Sequence, residues 1–378
     1  MKQLLATCRI IRAMTKPAFY EFVTVHDFDG YRNTKRLAFF LRRSPNIRPL
    51  VRNITLLGID QEFLRLLLSL DLPNLQSLAA EDGDMISRDI GDGRKIVLNR
   101  CITVKLNLKT FEFRMLEKLS PKDVRLFQQP SLVTLLLEVD GIKSLAHQSV
   151  DALPFRNLQR LTILASRYPH KSLEKILRHA TSLRQFEFQY SDHEPIGPDF
   201  STLLQPCKDT LEAVRILCNP ESPITFQQPS LSFGNFPAIT HLAAPLGALF
   251  GSDMGNQTID RLQEIKKRIP PTVKTLLFQE LEVWAIEEEE EEEDGDEEGE
   301  WDEDFTFEDG SKFEFSPSDH ALIKTILENT SLFPNLRQIA WNAEVWITEQ
   351  QDICKLADAA GVTLKNVRLI SDIKLEDV

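Results

Sequence analysis

The sequence predicts an α/β fold built from stacked strand and helix repeats, and three observations lead to that prediction. A motif of the form apolar, two residues, apolar, one residue, apolar recurs eleven times along the 378 residues. Amphipathic segments of helical period lie between many of the copies. Prolines punctuate several helix-to-strand transitions, where a residue without an N–H can end a helix. A repeat array can exceed the size of one compact domain, because each repeat contacts only its neighbours.

Each motif copy ends in a period-two stretch, which suits a short strand with alternate side chains facing a core. In order, the copies are LVRNITL (50–56), NLQSLAA (74–80), NLKTFEF (107–113), SLVTLLL (131–137), NLQRLTI (157–163), SLRQFEF (182–188), TLEAVRI (210–216), AITHLAA (238–244), TVKTLLF (272–278), NLRQIAW (335–341) and TLKNVRL (363–369). The spacing between copies is irregular, and the longest interval, between the ninth and tenth copies, contains a run of acidic residues.

The segments between copies predict helices at 61–70, 172–179, 199–204, 258–269, 318–329 and 350–359. One strand plus one helix per 24 to 34 residues resembles the leucine-rich-repeat family, and the resemblance covers roughly residues 50–378. Most copies lack the Asn or Cys that many family members carry just after the strand. The resemblance therefore implies a leucine-rich-repeat solenoid of about eleven repeats. It would be an irregular horseshoe, with parallel strands on its concave face and helices outside.

The strand residues between the core positions are expected to line the concave face. Five of them are leucines, which would form an apolar stripe with polar flanks, as at a protein-docking surface. The predicted partner-binding residues are Leu57, Leu136, Glu138, Thr162, Leu164, Glu187, Gln189, Arg215, Leu217 and Leu277. Gln279, Asn342 and Arg368 belong to the same predicted exposed set. Two alternatives remain, coverage of this face by neighbouring strands and a one-residue register error that would exchange inside and outside.

Residues 1–25 begin with a predicted amphipathic helix, which ends at Pro17. The segment LLATCRIIRAMTKPAFYEFVTV (4–25) resembles the second half of an F-box, as found in fungal F-box and leucine-rich-repeat proteins. This resemblance implies binding to the Skp adaptor of cullin-RING ubiquitin ligases through Leu4, Leu5, Cys8, Arg9 and Pro17. The front half of the motif, which opens with a Leu-Pro segment, would lie upstream of Met1. Other interpretations are a capping helix on the first repeat and a mitochondrial presequence.

Residues 26–49 predict a helical cap or linker that leads into the first repeat. Residues 1–52 hold eleven basic and three acidic side chains, so this end of the chain is strongly positive. Two basic pairs seven residues apart, Lys35 with Arg42 and Arg36 with Arg43, share a predicted helix face opposite Leu37, Phe40 and Leu41. We interpret the basic face as solvated, since no recognised RNA or DNA module accompanies it.

The formal net charge of −13 comes from one segment. Residues 287–304 contain fifteen acidic side chains and no basic one, which predicts a disordered acidic insertion, because like charges repel and no apolar area is available for burial. It could bind basic proteins or the chain's own N-terminal arginines, or be a tolerated solvated loop. Trp301, Phe305 and Phe307, near its end, offer apolar anchors.

The sequence contains no GxxxxGK[ST], GxSxG or HExxH motif, so we predict neither enzymatic activity nor a cofactor or metal. Its five scattered cysteines, without a CxxC pair, predict buried thiols in a reducing compartment. No apolar run approaches the roughly 20 residues of a membrane span, and no secretory signal is evident. We therefore expect an intracellular protein, cytoplasmic, nuclear or both, that binds neither nucleic acid nor membrane.

The leading functional hypothesis is a protein-binding module that acts as the substrate receptor of an SCF-type ubiquitin ligase and holds a protein substrate on the solenoid. The alternative is a leucine-rich-repeat scaffold or chaperone, outside any ligase, that binds basic proteins through the acidic loop.

Overall fold

A computed structural model describes residues 20–26, 32–59, 67, 70–82, 109–115, 130–139, 155–165, 170–190, 200–218, 230–251, 261–279, 317–342 and 351–367. In these ranges, twelve strands form one sheet, each parallel to the next and arranged in the order of the sequence. The strands are β1 (Phe22–His26), β2 (Asn53–Ile59), β3 (Ser77–Asp82), β4 (Thr110–Met115), β5 (Thr134–Val139), β6 (Arg160–Ala165), β7 (Gln185–Tyr190), β8 (Ala213–Cys218), β9 (His241–Pro245), β10 (Thr275–Gln279), β11 (Gln338–Asn342) and β12 (Thr363–Asn366). The chain is therefore an α/β protein with a parallel sheet.

The described helices lie between β1 and β2, between β6 and β8, and between β9 and β12. They are α1 (Arg32–Arg43), α2 (His170–His179), α3 (Phe200–Leu203), α4 (Leu246–Phe250), α5 (Arg261–Arg268), α6 (Pro317–Glu328) and α7 (Gln351–Ala360). Short 3₁₀ turns occupy Arg48–Leu50, Phe155–Asn157, Gln205–Cys207 and Thr330–Leu332. Five of the six helices predicted between motif copies are confirmed, and the sixth, 61–70, lies almost wholly outside the described residues.

The strand register confirms the predicted alignment of every motif copy except the last. For example, Ile54 pairs with Leu78, and Leu276 pairs with Ile339 across the longest interval. The alignment of the last copy is wrong, because Ile339 pairs with Leu364 rather than with Val367. Gly361 explains the difference. It adopts a left-handed φ of 67° directly after α7, a conformation that ends a helix, so β12 begins earlier than the motif indicates.

The sheet also begins before the first predicted copy. β1 pairs with β2 in parallel, with Val23 opposite Ile54. Just before these strands, Arg52 donates its backbone N–H to the carbonyl oxygen of Glu21 at 3.2 Å. An edge strand that overlaps residues 4–25, the segment predicted to be F-box-like, is thus continuous with the sheet.

The hydrophobic core lies on one face of the sheet. The predicted alternation is confirmed there, since Ile54, Leu135, Phe186 and Trp341 are each no more than 1% exposed. Helix residues such as Leu173 join them in a single cluster of buried side chains. We call this side the core face and the opposite side the second face.

Successive units stack through a repeated backbone contact. The carbonyl oxygen of Val133 accepts the N–H groups of Gln159 and Arg160 at 2.8 and 3.0 Å, just before β6 begins. Nine carbonyls from Arg52 to Lys274 each accept two such bonds, including the one that joins β10 to β11 across the longest connection. Neighbouring units therefore meet in the same geometry whatever the length of chain between them.

Candidate functional site

The second face carries part of the predicted partner-binding surface on β2 to β7. Leu57, Leu136 and Leu164 are half-buried there, as is Glu187, while Gln189 is exposed. Neighbouring strands place several of these residues side by side, with Leu136 opposite Thr162, Thr162 opposite Glu187, and Leu164 opposite Gln189. We call the second face of β2 to β7 the open half.

Four predicted surface residues are instead buried: Thr162 at 8%, Arg215 at 7%, Leu217 at 1% and Leu277 at 4% exposure. Every residue of β8 and of β10 is buried. A strand covered on both faces has a continuous apolar run instead of an alternating pattern, as in ILC of β8 and LLF of β10. The prediction of an exposed stripe through Leu217 and Leu277 is therefore wrong.

Gln279 was also expected on the exposed surface, but it is 0% exposed. β8 pairs with β9 only from Ala213 to Arg215, whereas β9 stays paired with β10 as far as Gln279. The Gln279 side chain reaches Cys218, at the end of β8. Its Oε1 accepts the Cys218 N–H at 2.9 Å, and its Nε2 donates to the Cys218 carbonyl at 2.6 Å. A side-chain amide thus satisfies backbone groups that β9 does not reach.

A charged cluster marks the boundary between the open half and the buried strands. Arg215 Nη1 lies 3.4 Å from Glu187 Oε1, and the Thr162 hydroxyl donates to Glu187 Oε2 at 3.5 Å. Burial lowers the pKa of the Arg215 guanidinium from its ordinary value, and the Glu187 charge opposes that shift. Arginine remains charged in proteins, so Arg215 holds the Glu187 carboxylate in place beside the exposed Gln189.

A second candidate surface, which the sequence analysis missed, lies beside β1. The large hydrophobic side chains exposed within the described ranges are Phe22 at 68%, Phe39 at 41% and Phe40 at 40%. On α1, an open groove of about 630 Å³ is lined by Lys35, Arg36, Phe39, Phe40 and Arg43. We call it the α1 groove.

The prediction that Phe40 lies on the face opposite the basic residues is wrong. It lines the α1 groove together with Lys35 and Arg36, and Tyr20 stacks against it with 6.0 Å between ring centroids. Ala38 and Leu41, at 0% and 1% exposure, anchor the helix instead. The two adjacent phenylalanines could have indicated this surface. A helix packs only one side against a sheet, so neighbouring large apolar residues are difficult to bury together.

Several predicted residues cannot be placed in either surface. Glu138 is in β5, with its backbone opposite Leu164, but its side chain lies outside the described set. The predicted adaptor-binding residues, Leu4, Leu5, Cys8, Arg9 and Pro17, also lie outside the described residues, as do Arg368 and the acidic run 287–304.

Two buried cysteines agree with the expectation of structural thiols. Cys207 and Cys218 are each 1% exposed, and burial raises the pKa of both thiols to about 12. Among the described residues, no group of three or more His, Cys, Asp or Glu side chains could hold a metal ion. Within the same ranges, no helix is long and apolar enough to cross a membrane.

These features define an α/β protein with a sequential parallel sheet and two candidate binding surfaces, the open half and the α1 groove. No protein-family model matches the chain, and no curated protein is significantly similar to it.

Proposed function

We propose that the chain is a leucine-rich-repeat solenoid that binds a protein partner on the open half. The strand order supports the repeat architecture, because stacked units contact mainly their sequence neighbours. The nine doubly bonded carbonyls from Arg52 to Lys274 support it independently. Separate domains would not repeat one junction across connections of such different lengths.

The observation that carries the binding role is the mixture of half-buried leucines and fixed polar groups on a rigid sheet. Leu57, Leu136 and Leu164 offer apolar contact area, and Glu187, held by Arg215, offers a fixed acceptor. Apolar residues with a polar rim are typical of protein interfaces. A surface already ordered by strand pairing also loses little conformational entropy when a partner binds.

We further propose that this binding serves a cullin-RING ubiquitin ligase, with the protein as substrate receptor. The resemblance of residues 4–25 to the second half of an F-box supports this role. The position of β1 also supports it, because β1 overlaps the end of that segment and all five of its residues pair with β2. An adaptor bound to the N-terminal segment would therefore lie only a few residues along the chain from the sheet that holds the substrate.

Co-purification of the full chain with the Skp adaptor tests the ligase role. The wild-type chain should retain the adaptor, and the double variant Leu4→Asp/Leu5→Asp should lose it. Leu136→Arg, on the open half, is the control and should leave adaptor binding unchanged. If no association occurs, even with the upstream genomic sequence included, the ligase role is refuted.

The substrate surface needs a separate test, because it can be correct when the ligase role is not. Proteins captured by the wild type should be lost from Leu136→Arg/Leu164→Arg and retained by Glu328→Arg, a charge change at an exposed position of α6. A partner identified in this way is then purified and titrated against all three chains. Equal affinity for the three would exclude the open half as its binding surface.

The alternative function, a scaffold or chaperone for basic proteins, is favoured by the fifteen acidic residues in 287–304. It predicts that a histone-tail peptide binds the full chain in a salt-sensitive manner. Deletion of 287–304 should abolish this binding, and Leu136→Arg should not. Unchanged binding after the deletion would rule the alternative out.

A further inference from the structure

The α1 groove is basic and aromatic, and the proposed function assigns it no role. α1 carries five basic side chains and no acidic one. The groove residues are spaced as i, i+1, i+4, i+5 and i+8, so they share one side of the helix. The core side of α1 is secured by Ala38 and Leu41. The groove is therefore a surface on a firmly anchored helix.

Exposed aromatic rings between cations restrict what can occupy such a groove. Phe39 and Phe40 leave about two fifths of their surface accessible, and Lys35, Arg36 and Arg43 surround them. An occupant must cover the rings with apolar or aromatic groups and bring negative charge to the cations. An acidic peptide that contains aromatic residues meets both requirements.

We propose that the α1 groove is occupied by the acidic segment 287–307 of this same chain, EEEEEEEDGDEEGEWDEDFTF, through its middle residues around Trp301. The segment combines fifteen carboxylates with Trp301, Phe305 and Phe307. Nucleic acid or an anionic membrane would also attract the cations, but neither is tethered to the groove. A covalent tether makes docking an intramolecular step that requires no second molecule.

The chain length permits this contact for the middle of the segment, around Trp301, but not for Phe305 and Phe307, whose extended arms to Pro317 span at most about 41 and 34 Å. The arm from Trp301 to the start of α6 at Pro317, when fully extended, spans at most about 55 Å. β1 and β11 are ten strand spacings apart, which is about 48 Å along a sheet. The longer arm, from Gln279, has more reach. Since charges are screened beyond about 8 Å at physiological salt, the attraction acts only at close approach.

Fluorescence anisotropy with a labelled synthetic peptide of residues 287–307 tests the proposal on two full-length proteins. One is the wild type, and the other is a neutralised chain in which every Glu and Asp of 287–304 becomes Gln or Asn. The neutralised chain should bind the peptide, with affinity that falls about tenfold or more as NaCl rises from about 50 to 300 mM. The wild type should bind it about tenfold more weakly or worse, because its own segment competes. Equal binding by both proteins, or no binding, overturns the proposal.

Variants of the neutralised chain locate the contact. Arg36→Glu/Arg43→Glu and Phe39→Ser/Phe40→Ser should each weaken peptide binding about tenfold, that is, by about 1.4 kcal/mol. The basic pair does not contribute to the core, so it remains informative if the phenylalanine pair fails to fold. Lys324→Glu and Lys355→Glu, at exposed positions of α6 and α7, are matched controls and should bind as before. The same loss in these controls would show general charge attraction and overturn the assignment.

Nucleic acid and an anionic membrane, the two competing occupants, are tested in the same assay. A labelled dT20 oligonucleotide and vesicles rich in phosphatidylserine should bind more weakly than the peptide. Tighter binding of either, lost in Arg36→Glu/Arg43→Glu, would overturn the acidic segment as occupant. The outcome is independent of the ligase role, because none of these substitutions touches the F-box-like segment.

Discussion

The side-chain amide of Gln279 satisfies both backbone hydrogen-bonding groups of Cys218, a residue 61 positions earlier in the chain. The bond pair joins the carboxyl ends of β8 and β10, two strands that have β9 between them in the sheet order. Strand pairing would normally satisfy the Cys218 groups, but β9 leaves β8 after Arg215. One fully buried side chain therefore maintains the sheet where its ladder is interrupted.

Replacement of Gln279 by Leu should destabilise the fold by about 2–4 kcal/mol, because a buried N–H and a buried carbonyl would both lose their partners. Urea unfolding followed by circular dichroism gives the change in the free energy of unfolding. Gln189→Leu, an exposed position on β7, is the matched control and should change it by less than about 0.5 kcal/mol. Equal effects in the two variants would contradict a structural role for Gln279.

Glu187→Ala should cost about 1–3 kcal/mol, because it leaves the Arg215 guanidinium buried without its carboxylate. The control lies between the segments that lead into the same two strands, β7 and β8. Arg184 and Glu212 form a 3.2 Å ion pair whose side chains are 58% and 49% exposed, so Glu212→Ala should cost less than about 0.5 kcal/mol. Denaturant unfolding of both variants measures the contrast. If Glu212→Ala proved as costly as Glu187→Ala, burial would not be the deciding factor.

Gly234→Ala should destabilise the protein by about 1–3 kcal/mol through a steric clash. A Cβ at this position would lie 2.7 Å from the Lys267 carbonyl oxygen and closer still to that of Lys266, at the end of α5. Gly361 is a useful contrast, because a Cβ there meets nothing within 4 Å but its φ is left-handed. Gly361→Asn should therefore be tolerated, whereas Gly234→Asn should be as damaging as Gly234→Ala. Thermal unfolding of the three variants distinguishes the two causes.

Cys207 and Cys218 should resist thiol reagents at pH 8.5, and Cys354, which is only half-buried, should react. Because the pKa of each buried thiol is about 12, only a fraction on the order of 10⁻³ to 10⁻⁴ of it is in the reactive thiolate form at pH 8.5. Mass spectrometry of the labelled peptides, with and without urea, measures the protection. If Cys207 of the native chain were labelled as fast as Cys354, burial would not protect its thiol.

The raised pKa values of these two thiols also predict how the stability of the fold depends on pH. Unfolded thiols ionise near their ordinary pKa of 9.0, whereas the folded ones keep their protons to about pH 12. Their contribution to stability is therefore complete below about pH 9 and declines as the pH rises above it. Cys207→Ala/Cys218→Ala should flatten that decline in a series of urea titrations from pH 8 to pH 10.

The strand spacing was predictable because each strand repeats a strong local pattern, in which a buried leucine precedes two core positions with period two. Phe186 and Phe188 show the pattern clearly, and both are 0% exposed. Two registers compete for the last strand, because Leu364, Val367 and Leu369 match the motif, whereas the observed pairing places Gly361, Leu364 and Asn366 at its three positions. The left-handed turn at Gly361 decides between them, and the motif does not include that turn.

Alternation of residues assigns a side chain to a face of the sheet, but it does not tell whether that face is open. Leu136 and Leu217 occupy equivalent faces, yet the first is half-buried and the second is 1% exposed. The difference depends on contacts between distant parts of the chain. Gln279, which reaches back to Cys218, is one such contact. The continuous apolar runs of β8 and β10 were therefore the only signal in the sequence that both faces of these strands are buried.

A sheet whose strand order follows the chain has a distinctive response to mechanical force. Tension applied at the two ends would peel strands away singly from β1 and β12, and each release would lengthen the tether by the chain between two successive strands. The step from β11 to β12 yields about 85 Å of extended chain, whereas the longest step, between β10 and β11, yields about 210 Å. In an optical trap, one increment much longer than the others would mark the position of the acidic insertion.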